Sequence, residues 1–184
     1  NNIAYLFLIF ATFLWGGNII AAKIASNISL EPVKLSFYRN IVTILILFPF
    51  AYSELIKNRF IYFKHWKIII FLSILSGGIF NVFMNIALTS STVISSSLMP
   101  AFAPSLIIIL SFLIYKSKIF IIQFFGILIS FIGFLNIIIK GNILNLTKLD
   151  FVIGDLWMFS AVVSWSIYSA LIKKLPSNFN NIAF

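Results

Sequence analysis

ATFLWGGNIIAAK, residues 11–23, returns as AVVSWSIYSALIK at residues 161–173. Ala11, Trp15 and Lys23 fall on Ala161, Trp165 and Lys173, each inside a long apolar segment. In membrane proteins, internal similarity of this kind is the signature of two-fold transporter architectures, whose substrate path lies between the repeats.

The composition agrees with a membrane setting. The chain is 61% hydrophobic and only 9% charged, against roughly 25% charge in a soluble domain. An apolar stretch of about 20 residues crosses the hydrocarbon as a helix, because a helix satisfies its own backbone N–H and C=O groups without water. Six such stretches stand out: Ile3 to Ala25, Pro32 to Tyr52, Trp66 to Leu88, Val93 to Tyr115, Ile119 to Ile139, and Gly154 to Leu175. Strands of an outer-membrane barrel would alternate apolar and polar residues at half this length. The expected fold is therefore all-α integral membrane, with about six transmembrane helices.

The net charge of +9 does not point to nucleic acid, because of where the charges lie. Lys57, Arg59, Lys64 and Lys67 crowd one loop, Lys116 and Lys118 another, and Lys173 and Lys174 close the sixth stretch. If the helices alternate, all of these share one side of the membrane. Lys23, Lys34, Lys140 and Lys148 lie on the other, the last close to Asp150 and Asp155. The positive-inside rule then puts the N-terminus and the end of the sixth helix in the cytoplasm, in a multi-pass protein of the inner or plasma membrane. The first stretch has no basic n-region and is too long for a signal peptide, so it is read as a true span. The chain has no cysteine, which excludes disulfides, thiolate metal sites and cysteine nucleophiles. His65 sits beside Lys64 in a loop and is read as solvated.

The two copies of the repeat lie five stretches apart, an odd number, so the second enters from the opposite side. Inverted topology of this kind allows two similar halves to exchange packings around a midplane site. WGGNIIAAK closing the first stretch, LEPVKLSFYRN opening the second, and ALTSSTVISSSLMPAFAP between the third and fourth together resemble the EamA-type branch of the drug/metabolite transporter superfamily. The Trp-Gly pair, the Lys eight residues after the Trp, the Arg of the second helix, the Pro of the fourth and the restart GDLWMFSAVVSWSIYS carry the resemblance. One departure is Ser117 in YKSKI, where the family often has Glu. The resemblance implies ten helices in two five-helix halves. On that reading residues 1–140 form a first repeat, 141–153 an external linker and 154–184 the start of a second, truncated repeat. The rest of the second half is then an expected partner.

Polar groups inside hydrocarbon are the natural candidates for a substrate path. Arg39 lies about 10 Å inside the second helix, where an Arg costs about 2.5–3.5 kcal/mol near a helix centre; it either snorkels outward or faces a cavity or partner. Lys23 lies nearer a helix end, where snorkelling is the favoured reading, and the resemblance makes it a lining candidate. Ala11, Trp15, Asn18 and Ala22 share one helix face, fit to line a cavity or to pack on a neighbour. Gly16 and Gly17 permit close backbone approach. Gly77, Asn81 and Asn85 form a stripe that should face other helices or water. Ser97, Pro100, Pro104 and Ser111 are placed on a face of the fourth helix, kinked at its prolines. In the sixth, Ala161, Trp165 and Tyr168 repeat the face of the first and should lie opposite Trp15.

Enzyme readings find no support in this inventory: it has no intramembrane carboxylate pair, no metal-ligand spacing and no phosphate loop. Glu31, Glu54, Asp150 and Asp155 are read as lying at or outside the membrane edge. The expectation is a secondary transporter of small metabolites or amphipathic solutes, an exporter or exchanger present as a fragment, with no cofactor and no metal; its partners are a small-molecule substrate and the lipid bilayer. The alternative is a non-transporting membrane remnant or membrane interaction subunit.

Overall fold

The computed structural model describes residues 2–139 and 152–176. Apart from residues 152 and 153, the expected linker lies outside the described residues, as do Lys140, Lys148 and Asp150. Among the described residues the fold is all helix. Six helices are long and apolar enough to cross a membrane: α1 (Asn2–Asn27), α2 (Pro32–Lys57), α3 (Trp66–Ser90), α4 (Val93–Tyr115), α5 (Ile121–Ile138) and α6 (Ile153–Leu171). A short helix, Arg59–Lys64, joins α2 to α3. This is an integral membrane all-α architecture, as the sequence led us to expect.

The helix ends follow local chemistry. Helix α2 runs to Lys57 rather than stopping at Tyr52, because its last turn is capped. The Asn58 backbone N–H donates to the Glu54 carbonyl at 3.0 Å, and the Asn58 amide donates to the Glu54 carboxylate at 2.6 Å. Between α3 and α4 only Ser91 and Thr92 intervene, and the Thr92 hydroxyl accepts the Ser95 N–H at the start of α4.

Two helices change winding midway. Helix α3 is π-helical over Ile74–Ile79, where Gly77 and Gly78 lack the Cβ atoms that would crowd a wider turn. Helix α4 tightens into a 3₁₀ turn over Met99–Phe102, at Pro100, which has no N–H to donate. The face expected of α4 is only partly turned to protein. Pro100 and Ser111 are buried, whereas Ser97 and Pro104 are exposed.

Helix α3 is the hub, packing on α1, α2 and α6, while α6 also packs on α4. Met84 and Leu88 of α3 meet Met99 of α4 and Met158 and Val162 of α6 in a core that is almost fully buried. Phe102 stacks on Phe134 at 4.8 Å, and Phe134 meets Phe159 at 5.3 Å, which ties α5 to the α4–α6 pair. Close approach occurs at a glycine the sequence did not single out for it. A Cβ on Gly154 would stand 2.5 Å from the Ala87 carbonyl oxygen, whereas one on Gly16 or Gly17 would meet nothing within 4 Å. Gly16 and Gly17 therefore mediate no close contact here, because the half of α1 that carries them stands away from its neighbours.

Candidate functional site

The direction of the helices follows from which ends meet. The Lys23 ammonium, near the C-terminal end of α1, donates to the Leu88 carbonyl at 2.6 Å and the Ser91 carbonyl at 3.0 Å, at the C-terminal end of α3. Gly154, at the start of α6, abuts the same end of α3. So α1 and α6 cross in opposite directions. Counting inward from this shared end, Trp15 is eight residues from Lys23 and Trp165 ten from Asp155, or about 12 and 15 Å along their helices.

At that depth the two tryptophans line one cavity of about 380 Å³, together with Leu8, Ala11, Thr12 and Phe80. The Phe80 ring lies 5.0 Å from Trp165, and Tyr168 continues the row at 5.2 Å from Trp165. Trp15 and Trp165 are both partly exposed, at 42% and 38%, so the cavity is a cleft. Its walls are almost wholly aromatic and aliphatic, with the Thr12 hydroxyl turned back onto its own helix at Ile9 and Leu8. Such a surface suits a solute with an apolar or planar body.

Ile19 and Ala22 of α1 are buried, whereas residues 3–17 are exposed. The cleft is therefore shut near Lys23 and open toward the N-terminal end of α1. The shut end is a polar knot. Besides receiving Lys23 at its carbonyl, Ser91 donates its hydroxyl to the Asp155 carboxylate. Asp155 is only 6% exposed and lies in the first turn of α6, where the helix dipole favours a negative charge. The sequence reading put Asp155 at or outside the membrane edge and favoured snorkelling for Lys23. In the structure both meet Ser91 where the helices end, and the carbonyls closing α3 supply acceptors for the ammonium.

The other predicted residues lie elsewhere. Asn85 donates to the Ser36 hydroxyl of α2 at 2.8 Å. Asn81 bonds within α3, to the Gly77 carbonyl at 3.1 Å and the Ser76 carbonyl at 3.3 Å. Asn40 of α2 reaches the Gly77 carbonyl at 3.3 Å, and Ser164 of α6 the Leu75 carbonyl at 2.9 Å. The π-helical segment thus supplies carbonyls to side chains of α2, α3 and α6. Arg39 is half-buried, and one of its terminal nitrogens, Nη1, is buried with no hydrogen-bond partner among the described residues. Asn18 is half-buried on α1. Ser97 bonds to its own helix at Val93 and is exposed, while Pro100 is buried in α4. Asn18, Arg39, Asn81, Asn85, Ser97 and Pro100, all candidates from the sequence, do not line the tryptophan cleft.

Sequence reasoning missed Phe80, Ser91, Ser164 and the contact between Asp155 and Ser91. Phe80 has no signal among 22 phenylalanines; the Gly-Asp opening α6 was visible and underweighted.

Set against known families, the chain matches the model described as the EamA-like transporter family over residues 2–139. No curated protein and no solved structure matches it.

Proposed function

Since the chain belongs to the EamA-like transporter family, we propose that it is a secondary transporter, an exporter or exchanger, moving small metabolites or amphipathic solutes across the inner or plasma membrane. One observation carries this reading: the cleft walled by Trp15, Phe80 and Trp165 between two oppositely running helices. Alternating access needs such a site, with an opening on one side and a closure on the other. Here the closure is the Lys23–Ser91–Asp155 knot, and the opening faces the end that carries Lys57, Arg59, Lys64, Lys67, Lys116, Lys118, Lys173 and Lys174.

By the positive-inside rule that end is cytoplasmic, which makes this a cytoplasm-facing form. Arg39, with its unpartnered nitrogen, is a secondary contact for an acceptor group as helices repack around the solute. The exposed faces of α1 and α2 fit burial against a second half of the ten-helix architecture that the family resemblance implies.

The test is flux of a metabolite panel in vesicles carrying the protein as it occurs in its membrane. Saturable transport of an amphipathic solute that is lost in Trp15→Ala and Trp165→Ala supports the proposal. Transport that is indifferent to both substitutions removes the cleft from the path. For orientation, a cysteine at Asn58 should label from the cytoplasmic side and one at Ser29 from outside; the reverse pattern inverts the assignment.

A further inference from the structure

The sequence around the junction of α2 and α3, KNRFIYFKHWK at residues 57–67, interleaves basic and aromatic residues and contributes nothing to the lining of the tryptophan cleft. In the structure it frames a second cavity of about 360 Å³, lined by Leu55, Arg59, Tyr62, Phe63, Trp66, Ile69 and Ile70. The trough runs from the rim, where Arg59 stands, along the aliphatic flank of α3. Phe60 and Phe63 of the short helix are each 75% exposed and Trp66 is 53% exposed. Rings left bare where two membrane-spanning helices end belong at the headgroup level of a bilayer.

The charges beside them are held at the same level. The Arg59 guanidinium lies over the Phe60 ring at 5.1 Å and the Lys67 ammonium over Trp66 at 5.8 Å. Neither makes a salt bridge among the described residues. The nearby acid, Glu54, is engaged by Asn58. Burial, and after it the Glu54 charge, hold the Tyr62 phenol above its ordinary pKa, so Tyr62 meets the trough as a neutral O–H.

We propose that this trough binds one phospholipid with an anionic headgroup. Its phosphate is held at the rim by Arg59 and Lys67, and one acyl chain lies along Leu55, Phe63, Ile69 and Ile70. Charge complementarity selects the headgroup: Arg59 lines the trough and Lys67 lies over the ring of its Trp66, and a basic residue at a membrane surface favours anionic lipid severalfold. The apolar lining selects a lipid over a soluble phosphate, since a small anion would leave the trough wall uncovered.

The experiment is native mass spectrometry of the purified chain, exchanged from detergent into mixed micelles of phosphatidylglycerol and phosphatidylcholine, with glycerol phosphate as the soluble probe. One phosphatidylglycerol per chain should be retained with a preference of about tenfold or more over phosphatidylcholine. Arg59→Gln with Lys67→Gln should abolish the preference, and Arg59→Lys with Lys67→Arg should keep most of it. Ile70→Trp, which fills the trough, should lower retention of both lipids. Because any variant could misfold, the wild-type chain is also measured at high salt, where the preference should shrink. Equal retention of the two lipids overturns the proposal, as does a preference unchanged by salt. Competition by glycerol phosphate as strong as by phosphatidylglycerol also overturns it, by showing that the acyl chain contributes nothing.

Discussion

The cleft between α1 and α6 is built on opposite principles at its two ends. At the shut end small residues prevail: Ala22 and Ala87 are buried and Gly154 touches backbone, so helices close to contact and backbone carbonyls come within reach of Lys23. At the open end Trp15, Phe80 and Trp165 hold the helices apart around a space of about 380 Å³. Helix–helix association in lipid gains little from hydrophobicity, since lipid tails are as apolar as leucine; it gains from close packing and from polar groups that find partners. The shut end has both and the open end has neither. The difference teaches that small side chains, by letting helices touch and polar groups reach backbone carbonyls, set where this bundle closes, and bulky rings where it can open.

The largest expected effect comes from breaking the shut end sterically. Gly154→Ala sets a methyl against the Ala87 carbonyl and Ser91 N–H, and should destabilise the chain by about 1–3 kcal/mol. Gly16→Ala, facing open space, should change stability by less than about 1 kcal/mol. Thermal unfolding in detergent compares the two, and equal effects would show that the close approach at Gly154 is absent in the protein. Next, Ser91→Ala removes the hydroxyl that Asp155 accepts from and should cost about 1–3 kcal/mol. Under the proposed mechanism it should also raise labelling of a cysteine at Ser29 or Ile28, as the knot loosens. Unchanged labelling with lowered stability would leave the knot a structural tie rather than a gate.

At the open end the expectation reverses. Trp15→Ala should lower stability little, because Trp15 is partly exposed, while weakening solute binding about tenfold, as loss of an aromatic anchor does. Titration of tryptophan quenching by a transported solute measures this. A Trp15→Ala chain that unfolds readily but binds normally would recast the residue as packing. The smallest effect belongs to Asn81→Leu. It removes a donor from two carbonyls of the π-helical segment and should cost about 0.6 kcal/mol, the mean for polar contacts within a membrane bundle; thermal unfolding also resolves whether it exceeds that.

The spans were legible because each is a run of apolar residues ended by charge or turn residues, and Val93 to Tyr115 is reproduced to the residue. The pairing of Trp15 with Trp165 was legible from the repeat. Which faces pack was far less so. In α4 the serines include three in a row, Ser95 to Ser97, and in α5 polar residues are few, so no stripe distinguishes the side toward protein from the side toward lipid. Ser96, fully buried, and Ser97, exposed, are neighbours in that run, which carries no sign of which one meets protein. The polar knot was hidden for another reason. Lys23, Ser91 and Asp155 are remote in sequence and only the antiparallel docking of α6 on α3 joins them.

The π-helical segment of α3 holds one residue more than a regular helix would use to climb the same height, so it absorbs a residue without turning the helix beyond it. Deleting Gly78 would let the segment wind as an ordinary α-helix, with Phe80 and Asn85 keeping their phase. What would go is the set of carbonyls at Leu75, Ser76 and Gly77 that the wide turn leaves open to Asn40, Asn81 and Ser164. The extra residue thus works as a socket, and a gene that lost that single codon would encode six intact spans with three of them untied from one another at mid-height.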